Sequence, residues 1–184
     1  MRHLLFALVL LGTISASAAA QDQRTVGVTM GYPASIGVLW HVSPRVAIRP
    51  EFSFTTTSNE FTSALGTVTA SDVSAIGVGA SGIVYLTDVN KLRTYLSPRF
   101  TYARTTSSTE ANGVSFGSEG SGRSYSAGAA FGAQYALGER FGVFGEVGIG
   151  YADQKSSSDT QTFQSSTVSH TWSSRTGVGV VLYF

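Results

Sequence analysis

Apolar and polar residues alternate with a period of two through most of the chain, the mark of strands with two unlike faces. The plainest run has Val46, Ile48, Pro50, Phe52 and Phe54 on one face and Ala47, Arg49, Glu51 and Ser53 on the other. A second sets Thr94, Leu96, Pro98, Phe100 and Tyr102 against Tyr95, Ser97, Arg99 and Thr101. A third sets Phe141, Val143, Gly145, Val147, Ile149 and Tyr151 against Gly142, Phe144, Glu146, Gly148 and Gly150. Their starts lie about 47 residues apart, the length of one up-and-down hairpin with a long loop. Glycine-rich partners of the same period lie between them, Ile76 to Val84 and Tyr125 to Tyr135, and a last one runs from Trp172 to Phe184. Val26, Val28 and Met30 give a first strand, and Ile36, Val38 and Trp40 a shorter second one. No segment of useful length has helical period. The pattern predicts an all-β fold, an eight-stranded antiparallel up-and-down transmembrane β-barrel.

The connections sharpen that picture. Tight turns are expected near Val42-Ser43-Pro44, Thr87-Asp88-Val89-Asn90 and Gly138-Glu139, and long Ser/Thr/Gly-rich loops over Thr55–Asp72, Thr106–Arg123 and Ala152–Ser169. Short turns at the end that holds both termini and long loops at the other are the asymmetry of an outer-membrane barrel. The first hairpin departs from it, because Tyr32-Pro33-Ala34 is too brief for a long loop. Trp40, Tyr135, Phe141 and Phe184 fall at the turn end of their strands, and Phe54, Tyr102, Tyr125, Tyr151 and Trp172 at the loop end. Two such girdles suit the two membrane interfaces, where amphipathic rings are favoured. Pro50 and Pro98 sit awkwardly in this scheme, since proline cannot donate to a strand ladder.

Composition changes the picture in three ways. Hydrophobic residues make up 42% and charged residues only 12%, whereas a soluble domain carries about 25% charged residues. Low charge without a long apolar run fits a surface that meets lipid in alternate positions; a soluble secreted β-sandwich is the alternative fold. Residues 1–20 combine a basic start, Met1-Arg2-His3, with an apolar run, Leu4 to Leu11, and a small-residue tract, Ala16-Ser17-Ala18-Ala19-Ala20. That is the order of a secretory signal peptide cleaved after Ala18 or Ala20, which leaves residues 21–184 as the barrel domain. Without Arg2, eleven basic residues face eleven acidic ones, and no nucleic-acid partner is expected. Cysteine is absent, so no disulfide framework supports the fold.

If the apolar faces meet lipid, the opposite faces line the lumen, and eight strands leave room for little beyond side chains. Arg49, Glu51, Arg99 and Glu146 then point inward. Two cations balance two anions, so a salt-bridged plug is the economical arrangement, because an unpaired interior charge costs several kcal/mol. On this reading, replacing Glu51 and Arg99 by alanine raises conductance. Arg93 and Arg175 also face inward, nearer the two mouths, where rim solvation is expected. Catalytic and metal chemistry find little support. His41 and His170 are far apart in sequence, and the carboxylates Glu110, Glu119, Asp153 and Asp159 are not spaced as a calcium loop. His170 has Ser169 and Ser173 nearby, but no acid follows it in sequence. Gly117-Ser118-Glu119-Gly120-Ser121-Gly122-Arg123 lacks the lysine and the strand–loop–helix setting of a phosphate cradle. The expectation is no catalytic residue, no metal and no cofactor.

The last strand ends Val178-Gly179-Val180-Val181-Leu182-Tyr183-Phe184. Alternating apolar residues that close on a phenylalanine are similar to the C-terminal signature of bacterial outer-membrane β-barrels. With the export signal, residues 21–184 resemble the small eight-stranded OmpA/OmpX-type barrel family. The resemblance implies recognition of Phe184 by the barrel assembly machinery, and residence in the outer membrane in contact with its lipid. Three functional classes then compete. The first is a structural or surface protein whose extracellular loops meet a ligand. The second is a narrow channel for ions or small solutes gated by the Arg/Glu cluster. The third is a lipid-acting enzyme using His170, since outer-membrane lipid A deacylases are serine–histidine barrels that also need an acid.

Overall fold

The period-two segments fold as strands. The computed structural model describes residues 26–32, 35–63, 68–111, 114–160 and 163–184. They form β1 (Val26–Tyr32), β2 (Ser35–Ser43), β3 (Val46–Thr62), β4 (Val68–Val89), β5 (Leu92–Ala111), β6 (Val114–Ala136), β7 (Phe141–Thr160) and β8 (Phe163–Tyr183). Each strand pairs antiparallel with its neighbours in chain order, and β1 pairs with β8 to close the ring. The segment 1–20 and the pair Pro33–Ala34 lie outside the described residues.

The pleat sorts side chains by polarity. Along β3, Ile48, Pro50, Phe52 and Phe54 are exposed while Ala47, Arg49 and Glu51 are buried. Phe100, Phe131, Val147 and Ile149 also lie on the outside. An apolar exterior around a polar lumen inverts the arrangement of a soluble sandwich and is that of a transmembrane barrel. The tight turns fall where expected, over Pro44–Arg45, Asn90–Lys91 and residues 137–140. Asn90 adopts φ 57°, a left-handed conformation that asparagine tolerates better than most residues.

Both prolines are accommodated by interrupted ladders. Between β2 and β3 the pairing steps from Gly37↔Glu51 to Trp40↔Ile48, passing over Pro50, while Pro50 stays in register with Ala80 on β4. Between β4 and β5 it steps from Ser81↔Arg99 to Val84↔Leu96, passing over Pro98, which stays in register with Ala129 on β6. Each proline thus faces a gap on one side, where no N–H is required of it.

The long connections differ from the expectation. Most of the stretches read as loops are paired strand: β3 and β4 remain in register up to Thr62↔Val68 and β7 and β8 up to Thr160↔Phe163, while β5 and β6 stay paired up to Ala111↔Val114 across a register shift between Thr109 and Glu110. Threonine is a good strand former, and Ser/Thr side chains pair across strands, as in Thr56–Ser74 at 3.3 Å and Ser121–Ser157 at 3.2 Å. About 9–11 residues cross a bilayer, yet β3 to β8 are 17 to 23 residues long, so roughly half of each extends beyond. β1 and β2 do not follow. The described pairing of β1 with β8 ends at Tyr32↔Val178, and that of β2 with β3 at Ile36↔Phe52. Above that level β3 to β8 continue as a curved six-stranded sheet.

If the exterior meets hydrocarbon, Val147→Arg, midway between the girdle residues Phe141 and Tyr151, should cost about 2–4 kcal/mol, and Ser166→Arg, beyond the girdle, about 0–1. Urea unfolding in lipid vesicles, followed by tryptophan fluorescence, measures both; equal costs would contradict the placement.

Candidate functional site

Three strands bring charge to one point in the lumen. β3 contributes Arg49 and Glu51, two residues apart on its inward face; β5 contributes Arg99, and β7, across the ring from β3, contributes Glu146. Arg49 lies at the centre. Its Nε is 2.7 Å from Glu51 Oε1, and its Nη2 donates to Glu146 Oε1 at 2.7 Å. Arg99 Nη2 closes on the other Glu51 oxygen, Oε2. The Tyr95 hydroxyl donates to Glu146 Oε1 at 3.0 Å, and the Arg49 guanidinium lies 5.2 Å from the Phe144 ring centre. The four sequence-predicted residues therefore form one chain, Arg99–Glu51–Arg49–Glu146, spanning the lumen. Arg49 is 3% exposed and Glu146 8%, so that pair is shielded from water and the cost of losing a partner is high.

A second layer, which the alternation of single strands does not assemble, fills the lumen on the turn side. Tyr95, Tyr85, Leu39, Ile83, Ala47 and Val181 are buried together. The Tyr85 hydroxyl lies 3.0 Å from His41 Nε2, and Gln134 Nε2 donates to the Tyr183 hydroxyl at 2.6 Å. Arg93 stacks on Tyr85 with its guanidinium 3.7 Å from the ring centre; its Nε is 3.1 Å from Asp88, and Nη2 donates to the Pro44 carbonyl at 2.9 Å. Arg93 is thus a tied cap rather than a solvated rim cation. Gly132 makes the layer possible: a Cβ there would collide with the Tyr95 ring. The signal for this layer is in the period-two pattern, which places Tyr95 inward on the same face as Arg99.

On the other side of the ion chain the lumen opens. A cavity of about 420 Å³ is lined by Ser97, Arg99, Thr101, Ser126, Glu146 and Arg175, among others. Arg175 faces this vestibule, nearer the long hairpins, as expected.

His170 gains the acid that its sequence neighbourhood lacks. Asp153 is opposite it in the β7–β8 register, with Oδ2 2.9 Å from His170 Nδ1, and the Tyr151 hydroxyl lies 3.0 Å from the same nitrogen. The ring stacks on Tyr151 at 6.2 Å. Ser169 and Ser173 are odd-numbered on β8 and take the lumen face, opposite to His170. A serine–histidine–acid line therefore does not form from these serines. Phe184 is exposed, and its N–H donates to the Val26 carbonyl at 3.2 Å, at the β8–β1 seam.

No family model matches the chain, and no curated relative matches it. Solved structures do. The chain is similar to a major outer membrane protein from Thermus thermophilus, at 11% identity and a TM-score of 0.62, over 86% of this chain and 98% of that one. CarO from Acinetobacter baumannii is 15% identical over 90% of this chain and 100% of its own, with a TM-score of 0.49. At such identity the likeness to the Thermus protein speaks to fold alone. The fold is an outer-membrane-type β-barrel.

Glu51→Ala strands Arg99 and leaves Arg49 with Glu146 alone, and should cost about 3–5 kcal/mol, whereas Glu51→Ala with Arg99→Ala restores the charge balance and should recover part of that loss. Urea midpoints in vesicles measure the difference; additive losses from the two substitutions would mean that the pair is not coupled.

Proposed function

We propose that this protein is an integral outer-membrane β-barrel with a closed lumen, a non-catalytic structural or surface protein that presents paired hairpins outside the cell. The observation that carries the reading is the two-layer filling of the barrel. The ion chain and, beneath it, the tyrosine and aliphatic layer occupy the lumen from Arg99 down to Arg93, and the outer vestibule is open. The OmpA/OmpX-type resemblance agrees with the strand count and with the short-turn, long-hairpin asymmetry. In this reading the export signal at 1–20 directs the chain across the inner membrane. The assembly machinery recognises the strand ending at Phe184, the apolar exterior rests in outer-membrane lipid, and the Ser/Thr hairpins beyond it meet an extracellular ligand. No cofactor or nucleic acid has a part in it.

The narrow-channel reading draws its support from the vestibule, whose polar walls and Arg99 and Arg175 side chains suit an entering solute. The two readings differ in what the ion chain does. If it is one of two plugs, wild-type protein in planar bilayers shows no unitary current, and Glu51→Ala/Arg99→Ala remains closed, because Tyr85 and Tyr95 still block the bore. Adding Tyr85→Ala and Tyr95→Ala should open it. A current in the wild type, or in the double variant alone, would make the ion chain a gate and favour the channel. Location is tested separately: the protein should fractionate with outer membranes and change gel mobility on boiling, and a monodisperse folded protein in plain buffer would refute the membrane assignment.

A further inference from the structure

Three cations stand in one row on the outer face of the barrel. Arg104 on β5 is in register with Arg123 on β6, and Arg123 with Lys155 on β7. Directly opposed residues bring their Cβ atoms to about 4.5–5.5 Å, and like charges so placed repel. The row has no internal relief. None of the three makes an ion pair with a described residue, and their flanking register partners, Ile76 on β4 and Val168 on β8, are apolar and exposed. The carboxylate nearest along β7, Asp153, is already engaged with His170. An open depression of about 310 Å³ lies among Tyr102, Arg104, Ser121, Arg123, Lys155 and Ser157.

The height of the row on the barrel identifies what would relieve it. Two residues nearer the barrel centre, Tyr102 and Tyr125 pack against each other at 5.0 Å between ring centres; four residues nearer it, Tyr151 packs against Trp172 at 5.2 Å. This is the girdle at the hairpin end. Two residues further out the outward positions are Thr106, Ser121 and Ser157. Arg104 and Arg123 therefore sit one pleat repeat, about 7 Å of strand, beyond the aromatic residues of their own strands, and Lys155 two, where lipid headgroups begin. We infer that Arg104, Arg123 and Lys155 bind the phosphate of an anionic lipid headgroup in the outer leaflet, an assignment that rests on the membrane placement proposed above. Arginine forks match phosphate oxygens in bidentate fashion, and lysine adds a mobile point charge. Ser121 and Ser157 supply neutral hydroxyls beside them, and Tyr102 gives the acyl-proximal part of the headgroup an apolar support.

Residues 21–184, refolded in detergent and shown to be folded by heat-modifiable mobility, are to be offered bis-phosphorylated lipid A, its dephosphorylated form and inorganic phosphate, with bound lipid read by native mass spectrometry. The wild type should retain phosphorylated lipid A at least about tenfold better than Arg104→Ser/Arg123→Ser/Lys155→Ser, and better than it retains the dephosphorylated form, a difference of about 1.4 kcal/mol. Arg104→Lys/Arg123→Lys should keep most of the retention, and millimolar inorganic phosphate should not displace the lipid. Equal retention by the serine variant, or of the dephosphorylated lipid, overturns the inference; displacement by inorganic phosphate overturns the lipid assignment. If the triple variant lacks the mobility shift, Arg123→Ser at the centre of the row carries the same comparison. A wild type that never shows the shift would instead defeat the membrane reading itself.

Discussion

An eight-stranded ring is only wide enough for its own side chains, so charges that the pleat turns into its filled part must find partners within the lumen. Arg49 meets that constraint by reaching from β3 to Glu146 on β7 while holding Glu51 beside it. The consequence is mechanical as well as electrostatic. Strands on opposite sides of the ring are cross-braced through a shielded ion pair, and removing either end leaves a charge that the narrow lumen cannot hydrate well. The tyrosine layer beneath extends the same logic with neutral groups. Tyr95 ties to Glu146 and lies against Gly132, so the ion chain rests on a packed floor. Plug and floor are thus one structure, set by how eight strands must be filled.

The wall obeys a second constraint, that backbone polar groups within hydrocarbon find partners inside the protein. A closed ladder satisfies it, and the prolines show how strictly: Pro50 and Pro98 each sit at a gap in one ladder while the opposite ladder continues past them. The short β1–β2 hairpin has the opposite consequence. Beyond Tyr32↔Val178 and Ile36↔Phe52 the described ring gives way to a six-stranded sheet whose margins, the outer parts of β3 and β8, are rich in Ser and Thr. Polar side chains on those margins suit an aqueous setting, where water can serve the backbone groups that no strand pairs.

Alternation makes much of this legible. Strand count, chain-order pairing, the lipid-facing and lumen-facing sets, and the inward direction of Arg49, Glu51, Arg99 and Glu146 all follow from a period that one residue of slip would invert. What stays hidden depends on register between strands, which no single strand encodes. Asp153 lies seventeen positions before His170, yet the β7–β8 ladder places them side by side. Tyr85, Gln134 and Tyr183 come from three strands and meet only once the ring closes. The hairpins escape sequence reading for a compositional reason. Ser, Thr and Gly suggest loops when polarity stops alternating, but beyond the bilayer both faces of a strand meet water, and alternation is no longer required of a paired strand.

The two charge clusters answer one physical problem in opposite ways. Inside, cations and anions of the ion chain are matched by the protein itself, because the narrow lumen hydrates them poorly. Outside, Arg104, Arg123 and Lys155 are left unmatched in direct register, at the level where the protein's surroundings change from hydrocarbon to headgroup. A soluble protein would gain nothing from placing three like charges in adjacent strands, since water screens them but supplies no fixed counterion. At an anionic interface the same row turns mutual repulsion into attraction for phosphate and fixes the depth of the barrel on that side, as the aromatic girdle does with apolar contacts. The interior plug and the exterior row are therefore separable: the first depends on the barrel's width, the second on the composition of the membrane around it.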